Sequence, residues 1–353
     1  MKIVSGLGSI DEYISFVEAG ADEFFCGYVP DCWAQKYGIL QPLNRREVLY
    51  YNVQLGAMSE LKILRKMVEC YGVPVHLTFN SLYYTPEQYP VIADIISQCM
   101  DCGFETFIIA DPALIVYLRR QKIPCRIHLS GETAEVNRSM LDLFYQFDLD
   151  RVIFHRKNSL EDMLSCILHT RKQESRKRES GLDSVAGNWK KSDKKIEFES
   201  FLLNEMCHFS GAFCNSLHCD EFSHLCHVPY WIGKVSGECY SCSETDQENG
   251  GSDLDETEME EEEGEEQSYR TGETGCGLCA LYKMREIGVT HLKLVGRGNY
   301  TDYARRDIEQ VKKALDILDE TDGEKSFQRE MKRQLFRGEC SHHCYYREKE
   351  KRD

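Results

Sequence analysis

What most limits the fold available to this chain is an alternation that runs through nearly its whole length. A short apolar run of strand type is followed by a segment with helical apolar spacing, eight times over. The strand-like runs are Met1–Ser5, Ala21–Gly27, Val73–Asn80, Glu105–Asp111, Pro124–Ser130, Arg151–Arg156, Glu197–Asn204 and His291–Gly296. The helical segments include Asp11–Ala19, Met58–Tyr71 with Leu61, Leu64 and Met67 in period, Thr85–Cys102, Pro112–Gln121, Glu135–Phe147, Ser159 to about Arg171, Cys276–Gly288 and Thr301–Leu318. Strands and helices in alternation imply right-handed crossovers and a parallel sheet. Eight repeats predict closure into a (βα)8 barrel of the TIM type, with a doubly wound open sheet as the runner-up.

Two stretches interrupt the rhythm. Residues 171–195 are highly charged with almost no apolar period, which reads as an exposed insertion. Thr245–Gln267 (TDQENGGSDLDETEMEEEEGEEQ) cannot bury an apolar face and is expected to be disordered. The domain is therefore read as residues 1–323 with these two insertions, followed by a polar tail, 324–353, that carries Cys340 and Cys344. In a barrel, everything from Glu205 to Gly275 becomes one long cysteine-rich loop after the seventh strand, on the face where the strands end and active sites lie.

The net charge of -16 argues against a surface that coats nucleic acid, but most of the acidic excess lies in Thr245–Gln267, so a basic groove elsewhere stays available. No signal-like leader and no run of eighteen apolar residues is present, so no membrane insertion and a cytoplasmic location are expected. Seventeen cysteines in a reducing compartment do not suit a disulfide framework. Metal ligation is the natural reading for the clustered ones.

Those are Cys207, Cys214, Cys219 and Cys226, then Cys239 with Cys242 and Cys276 with Cys279. Cys239, Cys242, Cys276 and Cys279 form C-x2-C…C-x2-C, a pattern for structural zinc. Cys207, Cys214 and Cys226 with a later cysteine would instead suit an iron–sulfur cluster, and spacing leaves both open. Cys276 and Cys279 open the predicted eighth-repeat helix, whose N-terminus would favour thiolate over thiol. Cys70, Cys99, Cys102, Cys125 and Cys166 read as plain core or partly exposed thiols.

The chain resembles the collagenase-like peptidase family U32, on Glu199, on Cys207 and Cys214 around Ser210-Gly211, and on LKLVGR ending at Arg297. VPVHLTFNSL, FIIADPAL, RIHLSGETAEVN and RVIFHRKNSLED extend the likeness over most of residues 1–318. Leu203 and Val295 stand where that pattern often has histidine and glutamate. The resemblance implies an enzyme that hydroxylates RNA or a small aromatic or quinone precursor without molecular oxygen, taking oxygen from a small-molecule donor. It also implies a [4Fe-4S] cluster on Cys207, Cys214, Cys226 and Cys276, with Cys219 and Cys279 in reserve. Proteolysis, the family's inherited label, and a zinc-stabilised binding module are the alternatives.

Other polar residues end strands three to six: Asn80, Asp111, Ser130, Glu132, His155 and Arg156. Each alone reads as a loop or supporting group. His155 and Arg156 are the best pair, because imidazole can exchange a proton and guanidinium can grip a carboxylate or phosphate. With Glu199 they form the candidate catalytic set. Gly296-Arg297-Gly298 is a weak phosphate signal. The insertion at 171–195 is a possible RNA contact, although such charge runs are more often solvated.

Overall fold

A computed structural model describes residues 1–38, 41–45, 53–180 (177–180 without side chains), 194–207, 269–297, 299–336, 340 and 342–347. Eight parallel strands close into a barrel in sequence order: β1 (Lys2–Leu7), β2 (Glu23–Gly27), β3 (Val75–Phe79), β4 (Thr106–Ile109), β5 (Arg126–Leu129), β6 (Arg151–Ile153), β7 (Glu197–Leu203) and β8 (His291–Leu294). Closure is made by β8 against β1, with Lys2 opposite His291 and Val4 opposite Lys293. The (βα)8 expectation holds, and the open sheet is set aside.

The helices are α1 (Glu12–Ala19), α2 (Asp31–Tyr37), α3 (Met58–Tyr71), α4 (Gln88–Asp101), α5 (Pro112–Arg120), α6 (Arg138–Tyr145), α7 (Leu160–Ser180), α8 (Leu281–Ile287), α9 (Thr301–Glu320) and α10 (Glu324–Leu335). None among the described residues is long and apolar enough to cross a membrane. Local chemistry sets several ends. Gly20 takes the left-handed conformation that stops α1. Asp111 accepts from Ala113 N at 2.8 Å and, with Pro112 behind it, starts α5.

Three expectations need correction. The helix after the sixth strand does not end near Arg171 but runs to Ser180, so the first ten residues of the charged insertion are helical. Its inner side is tied down there: Arg171 pairs with Glu174 at 2.9 Å and lies over the Phe198 ring, while Glu174 accepts from Ile196 N at 2.8 Å. Residues 324–335 are not loose tail but α10, whose Phe327 and Met331 are fully buried and which packs on α9 and α8. Finally, Cys276 stands outside the eighth-repeat helix, which begins with a 3-10 turn at Leu278–Ala280.

Beyond β7 the chain turns through Asn204 and Glu205, both at positive φ, and its two ends are zipped together. Asn204 N donates to Gly275 O at 2.9 Å and Met206 N to Thr274 O at 2.8 Å. The described residues on either side of 208–268 are thus held together by the backbone itself. Cys214, Cys219, Cys226, Cys239, Cys242, Ser210, Gly211 and the acidic tract fall in that stretch, outside the described residues, as does Gly298.

Candidate functional site

The barrel interior is layered by charge. Toward its N-terminal end, Arg151 on β6 donates to Glu23 (2.7 Å), Glu197 (2.8 Å) and Glu199 (2.8 Å). His76 and His291 also meet Glu23, at 3.0 and 3.2 Å. Burial alone would raise the Glu23 carboxyl, but His291, His76 and Arg151 hold it far below the ordinary carboxylate range. Above this network lies an apolar layer of Val4, Phe25, Ile108, Ile153 and Phe201.

Glu199, expected in the catalytic set, belongs to the network. It is fully buried, with one oxygen on Arg151 and the other on Lys293 at 3.0 Å, and these cations keep it ionised against the effect of burial. Its role in the structure is to fix charge inside the barrel.

Two guanidinium groups lie over the apolar layer at the C-terminal mouth. Arg156, after β6, stacks 4.2 Å from the Phe201 ring centroid, and Arg297, after β8, stands 5.9 Å from that of Phe25. Arg297 reaches across to Thr78 Oγ1 on β3 at 3.3 Å. It can do so because positions 6 and 27 are glycines: β-carbons there would lie 2.7 Å from its Cγ and 2.5 Å from its Nη1. Buried Gln54 Oε1, beside Gly27, has no hydrogen-bond partner.

Glu132 connects the other side of the mouth. It pairs with Arg156 and, at 3.2 Å, with Arg45, whose backbone N–H donates to Asn80 Oδ1 at 3.1 Å. Burial opposes ionisation of Glu132, yet Arg156 and Arg45 hold its carboxyl well below the usual range. Arg156 Nε remains buried without a partner. His155 is buried; its Nδ1 accepts from Lys157 N at 3.2 Å, and burial pulls the imidazole below its ordinary value. A neutral His155 therefore carries its proton on Nε2. Asp111 and Ser130 serve local turns: Asp111 accepts from Tyr84 N and Tyr89 Oη, both at 3.1 Å, and Ser130 Oγ accepts from Glu132 N at 3.2 Å.

Of the β2–β3–β6–β7–β8 charge network the sequence singled out Glu199 alone, and it did not single out Arg45. The glycines at the ends of the first two strands signalled a large side chain crossing the mouth. Charged residues inside otherwise apolar strands, as Glu23 in EFFCG, His76 in VHLTF and Arg151 in RVI, signalled the network.

Half-buried Cys207 lies just beyond β7, where the long loop leaves the barrel rim. Cys276 and Cys279, at its return, line one pocket with Cys340, Cys344, His342, Phe336 and Tyr346. Burial, and after it the neighbouring thiols, pushes the Cys276 thiol up to about 12. Burial also raises Cys279. The expected helix-terminus preference for thiolate survives only as the lowering effect of the Leu278 backbone N–H and is outweighed by burial. Among the described residues no three His, Cys, Asp or Glu side chains converge closely enough to hold a metal as they stand.

The tail enters this region through Tyr345 and Tyr346. Tyr346 Oη donates to Phe201 O at 2.6 Å and meets Ser200 Oγ at 2.7 Å, while Tyr345 Oη donates to Asn204 O. Tyr345 also packs against the apolar layer beneath the mouth. The C-terminal segment is therefore part of the rim.

The family model described as peptidase family U32 matches residues 8–353. The tRNA hydroxylation protein P1 of Bacillus subtilis (strain 168) is 22% identical over 320 residues, covering 89% of this chain but 63% of that protein, so the chain spans less than two thirds of that relative's length. Among solved structures, the U32 peptidase Mk0906 aligns at 11% identity with a TM-score of 0.40, over 62% of this chain and 73% of that one. A 2,3-dimethylmalate lyase aligns at 13% identity with a TM-score of 0.31, over 60% and 71%.

Proposed function

The chain belongs to peptidase family U32, and from that premise we propose that it is an RNA-modifying enzyme that hydroxylates a tRNA base without molecular oxygen. The likeness to tRNA hydroxylation protein P1 supports this class of reaction. The observation that carries the reading onto this chain is the barrel mouth itself. Arg45, Arg156 and Arg297 gather there at the strand ends, beside the rim from which Cys207 departs. Guanidinium groups gathered at such a mouth suit a flat ring bearing a phosphate or carboxylate, because the fork binds the anion and the guanidinium plane itself stacks on a ring face.

In this reading an iron–sulfur cluster is held by Cys207, Cys214 and Cys226, with Cys276 or Cys219 as the fourth thiolate. Cys207 fits such a role by its place on the rim; Cys214, Cys219 and Cys226 lie outside the described residues. When bound, the cluster supplies electron transfer or activation of a small-molecule oxygen donor. The chain's own residues do the rest. Arg156 and Arg297 orient anionic groups, Glu132 fixes Arg156 and Arg45, and His155 offers a neutral imidazole whose Nε2 carries the proton. With tRNA as the proposed substrate, a cytoplasmic location is part of the same proposal.

The test is mass spectrometry of tRNA nucleosides from cells lacking the gene, complemented with the normal chain or with Arg297→Ala. Gain of one oxygen on a single nucleoside, restored by the normal chain and not by the variant, supports the reading. Unchanged tRNA together with turnover of a peptide by the purified protein would replace it with proteolysis.

A further inference from the structure

The sequence leaves Cys340 and Cys344 as an unexplained pair in the tail, and the structure brings them to the one place on the rim where another such pair waits. Cys276 and Cys344 form a parallel backbone bridge: Cys276 N donates to His343 O at 2.8 Å, and Tyr345 N donates to Cys276 O at 2.9 Å. Gly275 and Gly277 flank Cys276 and leave the room into which the tail packs. β-carbons there would each lie 3.0 Å from a ring atom, of Tyr345 and of Tyr346 respectively. Two segments some sixty residues apart in sequence are thus registered so that C-x2-C (276–279) faces C-x3-C (340–344) across one pocket.

We propose that Cys276, Cys279, Cys340 and Cys344 form a closed tetrathiolate zinc site that fastens the C-terminal segment to the barrel rim. Two short-spaced cysteine pairs from separate segments are how four-coordinate structural zinc is usually held. Among the other side chains lining the pocket, of Ala280, Phe336, His342 and Tyr346, only Tyr346 carries oxygen, and its hydroxyl is engaged by Phe201 O and Ser200 Oγ. The sulfurs rim the pocket rather than meet in it, and rotation among staggered χ1 wells lets them turn inward around a metal. His342, at positive φ with Nδ1 3.9 Å from Cys340 Sγ, stands just outside the four.

The consequence reaches the mouth. Tyr345 follows Cys344 directly and packs on the apolar layer below Arg156, so a metal at this site holds one wall of the candidate active site in place. The assignment goes beyond the hydroxylase reading and stands apart from it. It takes Cys276 for zinc and leaves the cluster's fourth ligand to the loop between strands seven and eight, with Cys219 the first candidate.

The experiment is metal analysis of the full chain purified anaerobically, alongside C340S/C344S, C276S and, as a control on an exposed thiol elsewhere, C70S. The expected result is about one zinc per chain in the parent and in C70S, and less than about a tenth of that in the other two. Iron and sulfide should be unchanged throughout. Replacing zinc with cobalt(II) should give the intense visible and sulfur-to-metal bands of a tetrahedral four-thiolate site, absent from C340S/C344S. Far-UV circular dichroism of each variant checks that the barrel is folded. Zinc retained by folded C340S/C344S overturns the proposal, as does loss of iron and sulfide from C276S in place of zinc, or a reduced parent protein that binds no zinc. The tRNA assay is read separately, so failure of one reading does not imply failure of the other.

Discussion

The Nη1 atom of Arg297 lies 2.5 Å from the point where a β-carbon on residue 27 would stand, so the arginine's reach across the barrel and a side chain at Gly27 exclude each other. Gly27→Ala should therefore behave as an Arg297 variant. The atom met most closely is the end of a flexible side chain, and Gln54 Cβ, at 3.0 Å, must give by only a few tenths of an ångström, so the melting temperature should fall modestly while the guanidinium is pushed from Thr78. Substrate KM should rise about tenfold with kcat less affected, equivalent to about 1.4 kcal/mol of binding. Arg297→Lys should fail similarly, because an ammonium lacks the planar fork. Steady-state kinetics on both variants check this, and a normal KM in folded Gly27→Ala would remove Arg297 from substrate binding.

Arg151 is a cation shared by Glu23, Glu197 and Glu199 toward the N-terminal end of the barrel. Replacing it with methionine keeps much of the volume but removes the shared counter-charge, leaving fully buried Glu199 to Lys293, buried Glu23 to Lys2, His76 and His291, and half-buried Glu197 to His291 at 3.9 Å. Removing one partner of a buried pair costs about 3–5 kcal/mol. Arg151→Met should lose at least that in urea unfolding, whereas Arg65→Met, which breaks an exposed pair with Glu69, should lose less than about 1 kcal/mol.

The same interior sets the acid limb of stability. Burial holds His128 well below its ordinary value and lowers His76 too, so the unfolded chain takes up protons that the folded chain refuses. Their contribution is present above about pH 6.5 and is lost as pH falls below it. Glu23, Glu197 and Glu199, held low by their cations, add a second loss below about pH 4.3 as they protonate. Glu12, Asp111 and Asp307, raised by burial, act in the opposite sense and partly offset that second phase. His128 Nδ1 has no hydrogen-bond partner, so His128→Leu should fold and show a shallower decline between about pH 6.5 and 5. An unchanged slope in denaturation measured across that range would place the titration elsewhere.

The barrel was legible because each repeat carries its own local signal. Strand and helix periods differ, and Gly20 and Asp111 mark helix boundaries in the sequence itself. The site was legible only in part. Cys207, His155, Arg156 and Glu132 could be put near one face by counting strands, but whether a strand-end group lines the mouth or is sealed below it depends on barrel stagger. That is why Glu199 reads from sequence like a site residue and proves to be wedged between Arg151 and Lys293. The meeting of Cys276 with Cys344 is set by tertiary docking of Tyr345 and Tyr346, which no local pattern announces. Helix α10 was missed for a different reason: its apolar stripe is too sparse to stand out from a polar tail.

That sparse stripe makes the last prediction. Phe327 and Met331, one turn apart on α10, are both fully buried against the barrel's outer helices, and Gln328 Nε2 donates to Cys279 O at 3.1 Å. A chain cut after residue 323 would expose that contact surface and lose Tyr345 and Tyr346 from the rim. Phe327→Ala should cost about 3–5 kcal/mol, as for other fully buried phenylalanines. The truncated chain should be poorly soluble rather than an independent domain. Calorimetry of Phe327→Ala and size-exclusion chromatography of residues 1–323 make the comparison. A monomeric, cooperatively melting truncation would show that the barrel is complete without α10 and that the tail is an accessory after all.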